Sequence, residues 1–386
     1  MRWLIRKYKA LSDEWGTFLA GCLGGVSIVF WKRDSWRILS LYVFARFLQS
    51  AWRSARNRGW VKKYLGIKED SWIIQHGDFH VFAFFSAQIM YSYVMHPDSL
   101  VAGFWGFIVK CGPISPGGLA AVKGFYGKGV AGVDVAALQK GIAANPKLYP
   151  GDASIIGPIL ASLPAGSIRI PDGHTTSILP VLIKVFAKGF AVALPMYLSL
   201  QVVPSVVLRL GSVVRSPVST AAHLLLNATR SACFLASFPT TYQAVILACQ
   251  SLGWVGKGSF WFAGWIASLS LLIERSSRRG ELALYTLPRG ADSLFRVLKK
   301  RGWPINLVPG GKGEVLLFCV GMGGLSYFYH YEREVCAPLF TALYGSVVAP
   351  DKKHRDVSVQ ASGQGSGGGD KAALARPHGK RTQGRR

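Results

Sequence analysis

Apolar stretches alternate with short segments rich in arginine and lysine along most of the chain. A helix needs about 20 mostly apolar residues to cross the hydrocarbon core of a bilayer. The pattern predicts transmembrane helices at residues 15–31, 36–52, 79–95, 100–111, 178–210, 220–254, 258–273, 282–297, 315–331 and 336–349. Of these, 100–111 is short enough to be tilted or re-entrant, and 220–254 is long enough for one or two passes.

Composition agrees with a polytopic membrane protein of the all-α class. Half of the 386 residues are hydrophobic and 17% are charged, against roughly 25% charged in soluble domains. The twelve tryptophans lie mostly near the ends of apolar stretches, as in the aromatic belts at membrane surfaces. The alternative is a large soluble helical protein with an apolar core.

The same pattern predicts the domain organisation. We expect a first membrane repeat at 1–111, a loop region rich in glycine and proline at 112–178, and central membrane helices at 179–256. A second membrane repeat would follow at 257–349. The tail, 350–386, is Gly, Ser, Lys and Arg with little to bury, and it is predicted to be disordered.

An internal repeat relates the two ends of the chain. Residues 20–60 align without a gap to residues 263–303, with twelve identities over 41 positions. Apolar bias does not easily place matched Tyr, Arg, Ser and Trp in one register. The alignment therefore predicts a helix bundle built from two copies of about three spans each.

The orientation of the copies is predicted from charge. In both, the linker after the second span is the most basic, at residues 53–68 and 296–312. Basic loops favour the cytoplasmic side of a membrane. The shared bias predicts two parallel repeats, which requires an odd number of spans between them.

The second span of each copy carries polar residues at helical spacing. Spacings of three and four place them on one helix face. We name this set the polar seam: Tyr42, Arg46, Gln49, Arg53, Tyr285, Arg289, Asp292 and Arg296. An arginine within a bilayer is costly unless it faces protein or water. The seam is therefore interpreted either as a site for a polar head group or ion, or as arginines that reach the interface or hold the bundle together through Asp292 and carbonyl groups.

Small residues recur four apart in the first span of each copy, which lets helices approach closely in lipid. They are Gly16, Ala20 and Gly24, then Gly21 and Gly25, and in the second copy Ala263, Gly264 and Ala267. Packing within the chain and homo-oligomerisation both fit this pattern.

The net charge of +26 raises the question of a nucleic-acid partner. The basic residues lie between apolar stretches, however, so membrane lipids with anionic head groups are the expected partners and nucleic acid is not. Six dispersed cysteines give neither a disulfide framework nor a zinc site. No catalytic set, metal site or cofactor is predicted.

The segment "FAGWIASLSLLIERSSRRGELALYTLPRGADSLFRVLKKRGW", followed by "GEVLLF", resembles the transmembrane protein 135 family. The resemblance is best over residues 220–332 and depends on Glu274, Arg278, Arg279, Glu281, Tyr285, Pro288 and Arg289 in order. The family resembles the mitochondrial inner-membrane translocase superfamily. It implies a peroxisomal or mitochondrial membrane protein linked to lipid metabolism, with no catalytic residues to carry over.

Three functions are therefore kept open. The first is a non-enzymatic, multi-pass organelle membrane protein that handles lipids, with the polar seam as its ligand path. The second is a component of a protein-translocase-like channel. The third is an integral-membrane lipid enzyme, which the missing catalytic set disfavours.

Overall fold

The computed structural model describes residues 13–66, 71–112, 114–144, 155–164, 167–168, 178–303, 312–337, 340–341 and 344–345. These residues form α-helices and 3-10 helices, with no β-strand among them. The all-α prediction is therefore confirmed for the part of the chain that is described.

The N-terminal helices match the first three predicted spans. Helix α1 (Asp13–Gly25) continues into a 3-10 turn at Val26–Phe30, and α2 covers Arg33–Asn57. Two short helices follow, α3 (Trp60–Leu65) and α4 (Trp72–Gln75). They lead into α5 (Gly77–Met95). We call α1, α2 and α5 the N-terminal set.

The middle of the chain contains more helix than the sequence predicts. Helix α6 (Ala102–Cys111) is followed by α7 (Pro116–Lys128), α8 (Val135–Ala144) and α9 (Gly157–Ser162). The two longest helices come next, α10 (Ile178–Arg215) and α11 (Pro217–Ser251). The predicted central membrane helices, 179–256, correspond to this pair.

The prediction of a loop region at 112–178 is wrong for α7, α8 and α9. Pro116 is at the start of α7, where its missing N–H costs nothing. Ser115 caps the same helix by accepting a hydrogen bond from Gly118 N. Leu119, Leu138 and Ile156 are buried in the main hydrophobic core. Proline and glycine here begin helices and allow close packing.

The C-terminal helices have the same order of elements as the N-terminal ones. Helix α12 (Lys257–Ala267) runs into a 3-10 turn at Ser268–Ile273, and α13 (Ser276–Lys300) and α14 (Lys312–Tyr331) follow. We call α12, α13 and α14 the C-terminal set. The sequence alignment has an offset of 243 residues. That offset converts the bounds of α2 into those of α13, each 25 residues long.

The two sets exchange their third helices. Helix α14 packs against α1 and α2, whereas α5 packs against α12 and α13. Ser40 on α2 donates a hydrogen bond to the carbonyl oxygen of Glu314 on α14, at 2.7 Å. Ser293 on α13 donates to the hydroxyl of Ser92 on α5, at 2.6 Å. Neither set is therefore a bundle by itself.

Helices α2 and α13 contact each other and run antiparallel. Arg37, early in α2, pairs with Asp292, late in α13. Arg46, later in α2, pairs with Glu281, early in α13. The prediction of parallel repeats is therefore wrong. The basic linkers that follow α2 and α13 lie at opposite ends of this crossing, so their shared charge did not indicate a shared side.

Two of the described helices are long and apolar enough to cross a membrane by length and composition, Ile178–Val202 and Pro217–Ser251. Ala102–Cys111 and Lys257–Ile273 are apolar but shorter. The remaining predicted spans lie on segments that do not meet the same test. The length and apolar composition of these two helices are consistent with membrane association. The core helix of a soluble protein has the same two properties.

Residues up to Val335 form one compact unit, which ends in a 3-10 turn at Arg333–Val335. A second unit begins at Cys336. Within it, Thr341 N donates to Ala337 O, and the rings of Phe340 and Tyr344 stack. The predicted tail, 350–386, lies outside the described residues.

Candidate functional site

A cavity of about 1000 Å³ lies beside the α2–α13 crossing. Its walls come from α2, α5, α6, α10, α11 and α13, so it lies between the antiparallel pair and the helices of the middle of the chain. Ligand pockets typically measure about 300–1,000 Å³. The cavity therefore has room for a sizeable organic ligand.

Apolar side chains make most of the cavity wall. They include Phe82, Met90, Phe107, Leu200, Phe234 and Phe238. The ring of Phe82 also contacts the rings of Phe234 and Phe238, with centroids 6.0 Å and 6.3 Å apart. This part of the cavity can pack against a hydrocarbon chain and provides few hydrogen-bonding groups for a polar ligand.

Charged side chains gather where α2 and α13 cross. Arg46 Nη2 lies 2.7 Å from Glu281 Oε2, and its Nη2 also donates to the Tyr42 hydroxyl at 3.2 Å. The Arg46 side chain is 13% exposed and the Glu281 side chain 57%. The pair therefore neutralises a mostly buried arginine on the cavity wall.

Asp292 forms ion pairs with two arginines, Arg37 and Arg296. Its Oδ1 lies 2.5 Å from Arg37 Nε on the opposite helix, and its Oδ2 lies 3.1 Å from Arg296 Nε one turn along. The Asp292 side chain is only 6% exposed. This arrangement connects α2 to α13 and agrees with the structural interpretation of these residues.

Arg289 differs from the other cavity arginines. Its guanidinium carbon lies 3.6 Å from the centre of the Tyr285 ring and 5.2 Å from that of Phe104. Its Nη1 donates to the Tyr285 carbonyl at 2.8 Å. Among the described residues no carboxylate pairs with it. Arg289 is thus a cation that lines the cavity beside two aromatic rings.

The polar seam divides into two groups. Tyr42, Arg46, Tyr285, Arg289 and Asp292 line the cavity. The other three seam residues make structural contacts. Gln49 accepts from Arg46 Nη1 at 3.2 Å, Arg53 donates to the Val335 carbonyl at 3.4 Å, and Arg296 pairs with Asp292. Five seam residues therefore line the cavity, and two of them, Arg46 and Asp292, also form ion pairs across the α2–α13 crossing.

The predicted small-residue positions also divide. A Cβ atom at Gly21 would lie 2.7 Å from Ser326 Cβ on α14, and one at Gly25 would lie 2.7 Å from Cys319 Cα. At Gly24 nothing lies within 4 Å. Gly264 meets α5 at Ala87, Ala263 and Ala267 are fully buried, Gly16 is buried, and Ala20 is half-buried. Close packing within the chain thus involves the Gly21 and Gly25 ridge.

Several cavity residues were not predicted from the sequence. Glu281 enters the family resemblance alone, although it precedes Tyr285 by one helical turn and shares its face. Arg278 also lines the cavity and pairs at 3.1 Å with Glu274, whose side chain is 2% exposed. Gly103, on α6, lines the cavity with open space beside its Cα. Helical spacing from Tyr285 would have indicated Glu281, whereas Gly103 carries no such signal.

No group of three or more His, Cys, Asp or Glu side chains that could hold a metal ion occurs among the described residues. No protein-family model matches the chain, and no solved structure matches it. The functional argument therefore depends on the cavity and its charged residues.

Proposed function

We propose that the chain is a non-enzymatic, multi-pass membrane protein that handles lipids, and that its cavity binds an amphipathic lipid. The observation that carries the proposal is the cavity itself, with apolar walls of α5, α6 and α11 and a charged edge formed by α2 and α13. An amphipathic molecule has the same two parts. Its hydrocarbon would be removed from water along the apolar wall, and its head would lie beside the arginines.

Exposed apolar side chains support a position within the bilayer. Residues 243 apart in the sequence are exposed in the same way, namely Val26 and Leu269, Val29 and Leu272, and, just before the aligned segments, Leu19 and Phe262. Each is between 36% and 48% exposed. In water such matched apolar faces would be unfavourable, whereas lipid would cover them on both sets of helices.

The proposed topology is an inverted repeat. If an even number of membrane crossings separates two three-span units, the second unit has the opposite orientation in the membrane. The two long apolar helices, α10 and α11, supply that even number. The antiparallel crossing of α2 and α13 agrees with it. In membrane proteins built this way, ligand sites often lie at the interface between the repeats, and the cavity borders the α2–α13 crossing.

The organelle follows from the resemblance alone, so a peroxisomal or mitochondrial membrane is the proposed location. Imaging of the tagged protein with markers for both organelles tests it. The translocase-like channel stays an alternative, and a voltage-dependent conductance that responds to a presequence peptide would favour it. Turnover of a lipid by the pure protein would favour the enzyme.

The test of the cavity uses two glycines on α6. Gly103 and Gly106 both have open space beside Cα, and of the two Gly103 lines the cavity. We expect Gly103→Trp to fill part of the cavity and weaken binding of radiolabelled oleate and oleyl alcohol to the purified protein in nanodiscs by about tenfold or more. The matched control, Gly106→Trp, should bind like the wild type.

The result that opposes this proposal is equally specific. If Gly103→Trp and Gly106→Trp both fold and both bind oleyl alcohol and oleate as the wild type does, the cavity is not the lipid site. Unfolding temperatures of the two variants in the same nanodiscs show whether each is folded. A wild type that binds no single-chain amphipathic lipid, whether its head is a hydroxyl, a carboxylate or a phosphate, would also refute the proposal.

A further inference from the structure

We propose that Arg289 is the head-group site of the cavity, and that the ligand is an apolar chain with one oxyanion head, a carboxylate or a phosphate. This inference rests on the proposed lipid-binding function and narrows its ligand class. It depends on which charges in the cavity are already neutralised and which are not.

The other arginines near the cavity have carboxylate partners. Arg46 pairs with Glu281, Arg278 with Glu274, and Arg37 with Asp292. Arg289 pairs with no carboxylate in the part of the chain that the structure describes. A cation at the edge of an apolar cavity gains from a bound anion, because its charge is otherwise only partly solvated.

The internal alignment shows how Arg289 comes to lack a partner. Arg289 is the equivalent of Arg46, 243 residues earlier, and Glu281 is the equivalent of Ile38. Glu281 neutralises Arg46, whereas the equivalent of Glu281 in the other copy is an isoleucine, Ile38, which lines the cavity. The second arginine is thus retained without its carboxylate, and the opening it faces is large enough for a ligand to supply one.

The surroundings of Arg289 fix its guanidinium in place. The Tyr285 ring lies 3.6 Å from the guanidinium carbon, Phe104 lies 5.2 Å away, and Nη1 is held by the Tyr285 carbonyl. Stacking on aromatic rings suits arginine, whose planar fork binds carboxylate and phosphate oxygens through parallel hydrogen bonds. A cation positioned in advance loses less freedom when its anion binds.

The experiment measures equilibrium binding of three radiolabelled ligands to the full chain in nanodiscs of neutral lipid. Oleate carries a carboxylate, oleoyl lysophosphatidate carries a phosphate, and oleyl alcohol has the same chain without charge. The variant is Arg289→Gln. The control is Arg333→Gln, which also removes an arginine near a tyrosine ring, 5.1 Å from Tyr329, but does not line the cavity.

We expect Arg289→Gln to weaken the binding of at least one anionic ligand about tenfold, which is ~1.4 kcal/mol. Binding of oleyl alcohol should stay within about twofold, and Arg333→Gln should change none of the three. The anionic ligand that loses more affinity identifies the head group as carboxylate or phosphate.

Two results would overturn the assignment of Arg289. One is unchanged affinity of both anionic ligands in Arg289→Gln. The other is an equal loss for oleyl alcohol, which would mean that the substitution disturbed the cavity. In either case the proposed function stands if Gly103→Trp still blocks oleyl alcohol. It fails if the wild type binds none of the three ligands.

Discussion

Gly21 lies at a close approach of α1 to α14, and it offers a direct test of the exchange between the two sets of helices. In Gly21→Ala the new methyl group would be 2.7 Å from Ser326 Cβ, 2.8 Å from the Met322 carbonyl oxygen and 2.9 Å from Gly323 Cα. Two of these three atoms belong to the backbone, so the helices themselves would have to separate.

The magnitude follows from a comparison with Gly24 on the same helix. Replacing glycine by alanine within a helix gains up to about 1 kcal/mol at either position. At Gly24 nothing lies within 4 Å, so that gain should appear without a steric cost. Overpacking typically costs about 1–3 kcal/mol. Gly21→Ala should therefore be less stable than Gly24→Ala by about 1–3 kcal/mol.

The assay is equilibrium unfolding of the purified variants in one detergent, followed by tryptophan fluorescence. The quantity compared is the free energy of unfolding of Gly21→Ala and of Gly24→Ala, which removes the helix-propensity gain they share. Equal stability of the two variants would refute the close approach of α1 to α14. The exchange of third helices would then lose its main steric support.

Two further predictions concern charged groups. Asp292→Asn should destabilise the protein by about 2 kcal/mol or more, because it leaves Arg37 without its buried partner. The control, Asp98→Asn, breaks a half-exposed pair with Lys300 and should cost less than about 1 kcal/mol in the same unfolding assay; similar costs would contradict the structural role of Asp292. The pKa of His96 is lowered by burial and by nearby basic groups including Lys300. The folded state therefore binds this proton less readily than the unfolded state, so stability should be complete above pH ~6.5 and decrease as the pH falls below it. Between pH 7.5 and 5.5 the unfolding temperature of His96→Asn should fall less than that of the wild type. An equal fall in both proteins would refute the contribution of His96 to the pH dependence of stability.

The sequence predicts the helices of the two sets well and their partners poorly. The alignment offset transfers the bounds of α2 to α13 without adjustment, because local polarity and glycine positions repeat with it. Gly59 and Gly302, which follow these helices, both have positive φ angles, 69° and 78°. Nothing local indicates that α5 packs on α13 rather than on α2, since both surfaces are apolar and contain small residues.

Sequence composition was also a poor guide to the direction of the helices and to the structure of residues 112–178. Charge counts place basic residues after α2 and α13, but the direction of each helix is determined by pairs such as Arg37 with Asp292. In residues 112–178 glycine and proline indicate turns by composition. There Pro116 instead begins α7. The role of such a residue depends on its place relative to the helix start, which composition alone does not give.

For the site, five residues of the polar seam line the cavity, among them Arg46 and Arg289. The sequence did not predict that Arg46 has a carboxylate partner and that Arg289 lacks one among the described residues, because the two arginines are equivalent in the internal alignment. It depends on Glu281, which reaches Arg46 across the antiparallel crossing. A pairing between helices more than 200 residues apart in sequence is visible in three dimensions alone.

The exchange of third helices has a consequence for synthesis of the chain. The hydrogen bond from Ser40 to Glu314 joins residues 274 positions apart. At about 5–20 residues per second, translation takes roughly 15–55 s to cover that distance. For most of this interval α1 and α2 are complete and α14 has not been made. The nascent chain therefore presents an incomplete bundle for most of its elongation, and chaperones or insertion factors have that long to act on it.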